Sequence, residues 1–190
     1  MSAITELETL IYVSDARLRF GLSLNCIFID LSVHFLIKGD LNKGWWTAQS
    51  NEKFVQRSKC FADQYSNYTV LPNTPYQQNI DGRLTLGENI ADNGGLRQAL
   101  AGYRSWVAEN GAEPKMPGVD VTAEQLFFLS YAQIWCTKLR ESAVSILMRN
   151  VHAIPEYRVT GVLQNMREFS DAFKCKTGSR MNPDKKCILW

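Results

Sequence analysis

No two of the chain's five cysteines form a CxxC pair, which argues against a cysteine-rich zinc site. An excess of one charge is also lacking. The formal net charge is +2 over 190 residues, with lysine and arginine scattered rather than run together, so nothing suggests a nucleic-acid partner. There is no internal repeat and no low-complexity stretch, which leaves out solenoids and disordered tracts. Histidine is scarce: His34 and His152 are the two in the chain, and their spacing does not make a helical pair. What is present is ordinary for a folded protein, 45% hydrophobic and 21% charged, enough for one domain or part of a larger one.

Residues 1–38 differ in texture from the rest. Phe20 to Ile37 is apolar, follows Arg17 and Arg19, and is about as long as the shortest membrane span, but carries Asp30 near its middle and His34 beyond. A carboxylate in lipid costs several kcal/mol on insertion scales, so a buried segment is preferred over an anchor, and an anchor over a cleaved leader. From Gly39 the patterning is mostly helical. A helix is expected over "SNEKFVQRSKCFADQY" with Ser50 as cap, and another from Leu86 toward Val107. Thr122 and Gln125 form a capping box before "LFFLSYAQIWCTKL", which is apolar nearly all round and predicts a buried helix. Beyond Pro155, "YRVTGVLQN" reads as extended, and Asn165 as the cap of a last short helix over "MREFSDAF".

The chemistry begins at "LGENIADNGG", where Glu88 and Asp92 stand four apart. On a helix both carboxylates share one face and repel by a few tenths of a kcal/mol, so a positive partner is expected. A glutamate can ligate zinc, and a second acid can hold the N–H of a zinc-bound histidine. Asn67-Tyr68-Thr69 is a glycosylation sequon if the chain is secreted. "CILW" at the chain end has the outline of a prenylation box, but Trp190 is not a usual last residue there.

"GENIADNGGL", "LFFLSYAQIWC", "VHAIPEYRVTGVLQN" and "MNPDKKCILW" together, with "GDLNKGWWTAQS" and "CFADQYSNYTV" in the same order, resemble the neprilysin and endothelin-converting-enzyme family of zinc metallopeptidases. The resemblance covers residues 39–190 and leaves residues 1–38 as a non-matching apolar segment. It implies a mainly α fold with minor β, the carboxyl-terminal fragment of a thermolysin-like (gluzincin) catalytic domain. It implies Glu88 as zinc ligand, Asp92 as the acid orienting a zinc-bound histidine, His152 as oxyanion donor and Arg158 as the grip on substrate backbone. It further implies a Cys60–Cys187 bridge, a glycan at Asn67, and partners for Cys136 and Cys175 far toward the family's amino terminus. Cys26 has no counterpart.

One part of the family pattern is missing. The first two zinc ligands belong to an HExxH helix, and no HExxH occurs in this sequence. Asp30 and His34, at i and i+4, are a weak substitute with no general base beside them. The expectation is therefore a zinc metalloendopeptidase of extracellular peptides by family, here truncated and inactive alone, with zinc weak or absent. Its partners would be peptide substrates and a missing amino-terminal lobe, with membrane attachment through a segment not in this chain. Its location would be extracellular or the lumenal side of the plasma membrane. The alternative is a non-catalytic, secreted or membrane-associated peptide-binding relative.

Overall fold

A computed structural model describes residues 46–189; the apolar run with Cys26, Asp30 and His34 lies outside them. Six helices and one two-stranded ribbon make up the described part: α1 Ala48–Ser66, β1 Thr69–Val70, β2 Gln78–Asn79, α2 Leu86–Asn110, α3 Ala123–Ile134, α4 Glu141–Leu147, α5 Pro155–Gln164 and α6 Arg167–Ala172. β1 and β2 pair antiparallel, with Thr69 opposite Asn79 and Val70 opposite Gln78. The fold is mainly α with minor β, as the resemblance implied.

Helix starts follow local chemistry, with one shift. α1 is capped by Thr47 rather than Ser50: the Thr47 hydroxyl accepts the Ser50 N–H at 3.1 Å, satisfying one of the helix's orphan donors. At α3 the capping box is complete, since Thr122 accepts from the Gln125 backbone and Gln125 accepts from the Thr122 N–H. α2 runs to Asn110 and stops at Gly111, whose φ of 84° a side chain would strain.

Three expectations are corrected by packing. α3 is not buried all round: Phe128 and Tyr131 face the core, whereas Leu129 and Ile134 are exposed. "YRVTGVLQN" is not extended: Tyr157 to Gln164 lie in α5. Pro155 at its first turn loses no hydrogen bond there and holds φ ready for the helix. The helix buries Tyr157, Gly161 and Gln164 at helical spacing, which outweighs the weak strand preference of Val159, Thr160 and Val162. Asn165 ends α5 as its carboxyl-terminal cap, and α6 begins after Met166 without a side-chain cap.

α2 crosses both apolar cores. Ile90 joins Phe61, Tyr65, Ile154 and Tyr157 in the first, and Leu96 and Leu100 join Phe128, Tyr131 and Val162 in the second. α5 meets α1 closely: a Cβ on Gly161 would stand 2.6 Å from the Tyr65 hydroxyl oxygen, so only glycine fits. The end of the chain is tied back by a Cys60–Cys187 disulfide, by Arg57 Nη1 donating to the Leu189 carbonyl at 2.8 Å, and by the Cys187 N–H on Asn165 Oδ1 at 2.9 Å. Cys136, exposed, and Cys175, half-buried, are free thiols.

Three tyrosines make this core sensitive to alkali. Burial is the main cause in each: it raises Tyr65 well above the ordinary phenol range, pushes Tyr68 up to about 12, and raises Tyr157. Their folded values exceed their unfolded ones, so this contribution is complete below about pH 10 and is lost as pH rises through the folded values. Titration followed by tyrosinate absorbance is expected to show Tyr65 and Tyr68 ionising only alongside loss of helical circular dichroism. Independent early ionisation of all the tyrosines, with the helices intact, would contradict this.

Candidate active site

Glu88 and Asp92 occupy the first two turns of α2, and both have cationic or imidazole partners within the chain. Arg158, on α5, makes a bidentate pair with Asp92: Nε donates to Oδ2 at 2.7 Å and Nη2 to Oδ1 at 2.6 Å. The side chains are 13% and 7% exposed, so this is a buried fork of the kind guanidinium geometry favours. The guanidinium also lies over the Trp135 ring, 3.9 Å from its centroid, and the Tyr131 hydroxyl donates to the Arg158 carbonyl at 2.7 Å. Burial pushes the Asp92 carboxyl above the ordinary carboxylate range, with the Arg158 hydrogen bonds and charge pulling against it. Burial likewise opposes the charge on Arg158, but the Asp92 hydrogen bond and charge outweigh it and leave the guanidinium raised.

His152 precedes α5 on a turn set by Asn150, whose Oδ1 accepts the His152 backbone N–H at 2.9 Å and lies 2.8 Å from Nδ1. The ring's Nε2 stands 3.0 Å from Glu88 Oε2. Both ring nitrogens therefore face acceptors, and a neutral ring, with one N–H, satisfies only one of them. The His152 side chain is 43% exposed, so one edge of the site is open to solvent.

All four residues singled out in the sequence are thus neighbours. Within the described residues both Asp92 oxygens accept from Arg158, and Glu88 stands against His152. Trp135, Tyr131 and Asn150 were not foreseen as supports of the site. The Asn-x-His spacing was the one local signal for Asn150, while the roles of Trp135 and Tyr131 arise from contacts between separate helices. Asn67 is an exposed cap at the end of α1, its amide donating to the Asp63 carbonyl at 3.0 Å.

The described residues by themselves do not complete a catalytic zinc site. Among the described residues no three His, Cys, Asp or Glu side chains converge on one point, whereas catalytic zinc takes three protein ligands. Glu88 is one candidate oxygen ligand, Asp92 accepts one hydrogen bond from Arg158 at each oxygen and keeps a lone pair on each, and the sequence contains no HExxH. Among the described residues, no helix is long and apolar enough to cross a membrane.

The Peptidase family M13 model matches residues 23–189, a span that begins upstream of Gly39. The chain is similar to an endothelin-converting enzyme homolog of Locusta migratoria, 44% identical over 171 residues, covering 90% of this chain and 23% of that protein. It is similar also to human neprilysin, 45% identical over 164 residues, covering 86% and 22%. Among solved structures, the open state of the zinc metalloprotease Zmp1 of Mycobacterium tuberculosis matches with a TM-score of 0.69 at 34% identity, over 77% of this chain and 23% of that one. PepO of Lactobacillus rhamnosis matches with a TM-score of 0.60 at 31% identity, over 80% and 22%. The chain spans about a fifth of the length of the relatives it matches. With a family model matched along most of the sequence and the gluzincin-type helical fold shared with solved zinc metalloproteases, this chain belongs to peptidase family M13.

Proposed function

We propose that the chain contributes the acid-bearing part of a zinc metalloendopeptidase site whose whole protein cleaves extracellular peptides. The observation that carries this reading is the convergence of Glu88, Asp92, His152 and Arg158 from α2, the turn before α5 and α5 itself. In it, Glu88 is the carboxylate kept for the metal and Asp92 the acid that orients an imidazole supplied from outside the described residues. Arg158, held rigid by Asp92 and Trp135, presents an N–H not used on Asp92 to a substrate carbonyl. His152, on the open edge, donates to the oxygen on which negative charge develops; losing such a donor lowers turnover by about 10²–10³-fold. The Cys60–Cys187 bridge suits an oxidising compartment, which supports an extracellular or lumenal location and a glycan at exposed Asn67.

The purified 190-residue chain is expected to carry sub-stoichiometric zinc and to leave a quenched peptide substrate intact. One tightly held zinc per chain, with cleavage stopped by a chelator, would overturn that. Supplying an upstream family polypeptide that contains HExxH should restore cleavage, and Glu88→Gln or His152→Ala in this chain should remove it. The second reading, a non-catalytic peptide-binding relative, is favoured by one observation: both acids already have partners within the chain and need no metal. Zinc-independent binding of the same peptide by calorimetry, with no rescue by the upstream polypeptide, would select it.

A further inference from the structure

Behind the acid pair lies a buried polar junction that the roles above leave unused. Asn165 is 1% exposed and all its side-chain groups are engaged. Nδ2 donates to Gln64 Oε1 on α1 and to Asn93 Oδ1 on α2, each at 2.9 Å, and Oδ1 accepts the Cys187 N–H at 2.9 Å. Its carbonyl accepts from Arg97 Nη2 at 2.5 Å. Asn93 in turn donates to the Tyr65 hydroxyl at 3.2 Å and to the Asn89 carbonyl at 2.8 Å. One asparagine thus joins α1, α2, the end of α5 and the terminal strap.

The geometry makes this junction matter for the site. Asn89 and Asn93 share one face of α2, and Glu88 and Asp92 share the face about 100° round the helix. Fixing the first face fixes the direction of the second. On α5, Asn165 lies seven residues beyond Arg158, two helical turns along the same side. α5 therefore meets α2 at two points, Arg158 on Asp92 and Asn165 on Asn93. Ile90, Leu96 and Leu100 of α2 also pack in the two apolar cores, and the two polar contacts narrow the rotation that this packing allows. Aspartate at 165 keeps the shape but offers no N–H to Gln64 or Asn93, and sets a charge against their oxygens.

We propose that Asn165, acting through Asn93, is a positioning residue that sets the rotation of α2 so that Asp92 and Glu88 meet Arg158 and His152. This deepens the site reading above and rests on it for its functional meaning. The test follows the Arg158 Nε–H in the ¹⁵N-labelled 190-residue chain, with Arg158→Lys identifying the signal. In folded Asn165→Asp and in Asn93→Ala, hydrogen exchange at this group is expected to speed up by at least about tenfold, the factor tied to one ordinary hydrogen bond. The double variant should add little, because the two residues act as one link. Leu100→Ala, a core change on the same helix that lowers the melting temperature without touching the junction, should leave the signal protected. Retained protection in Asn165→Asp, or equal loss in Leu100→Ala, would overturn the proposal. Should the asparagine variants not fold, native-state exchange of the unaltered chain in mild urea decides: the Asn165 amide and Arg158 Nε–H should open together, and independent opening of Arg158 would overturn it. Failure of the zinc and peptide experiments leaves these exchange results unchanged, so the two ideas fail separately.

Discussion

Arg158→Met should lower the unfolding free energy by about 3–5 kcal/mol, because it leaves a buried carboxylate without its partner. Asp92 is 7% exposed at its side chain and receives both of its strong hydrogen bonds from Arg158. No other cation among the described residues is recorded in a salt bridge with it. The effect should depend on pH in a definite direction. Burial already holds the Asp92 carboxyl above the ordinary range, and losing Arg158 raises it further. A carboxyl with a raised folded value favours the folded state at low pH and disfavours it as pH rises through that value. The defect should therefore be largest near neutrality and shrink toward pH 4. Asp92→Leu combined with Arg158→Met should recover most of the loss, since an apolar pair of similar volume has no charge to desolvate. Urea midpoints for the wild type, each single variant and the double variant supply the check. A loss below about 1 kcal/mol for Arg158→Met would mean the pair is solvated as a surface pair is.

Removing the Cys60–Cys187 bridge is the second large effect. The bridge closes a loop with a sequence separation of 127, and cross-links over loops of about 100 residues stabilise by about 4–5 kcal/mol in the chain-entropy account. Cys60→Ala with Cys187→Ala should lower the melting temperature by on the order of 10 °C, at about 2–4 °C per kcal/mol for a chain of this size. The same loss should appear for the wild type in reductant. The bridge also holds the strap whose Cys187 N–H lies on Asn165, so Arg158 Nε–H protection should fall before global unfolding. Equal melting with and without reductant would show that the strap is held by packing and hydrogen bonds alone.

Several parts of this protein were legible before any coordinate. The Thr122–Gln125 box declares a helix start because the two side chains satisfy local backbone donors. Leu86 opens α2 as the patterning indicated. Other parts misled because the deciding contact lies far away in sequence. Strand-favouring Val159, Thr160 and Val162 form a helix because α5 must bury Tyr157 and Gly161 against α1 and α2. Asn165, a good cap by composition, is drawn into contacts with Gln64 and Asn93, 101 and 72 residues away. The apolar character of α3 gives no warning that Leu129 and Ile134 face outward.

By itself the sequence singled out Glu88, Asp92, His152 and Arg158 as candidate site residues and marked the starts of α2 and α3, because capping, periodicity and motif order act within a few residues. It also determined that no HExxH is present to complete a zinc site. Tertiary structure alone decided the partners: that Asp92 takes Arg158 and Glu88 takes His152, and that Trp135 lies beneath the guanidinium. Pairing of this kind depends on which faces two helices turn toward each other, and that is fixed by apolar packing and buried polar links such as Asn165 on Asn93 rather than by any short stretch of chain.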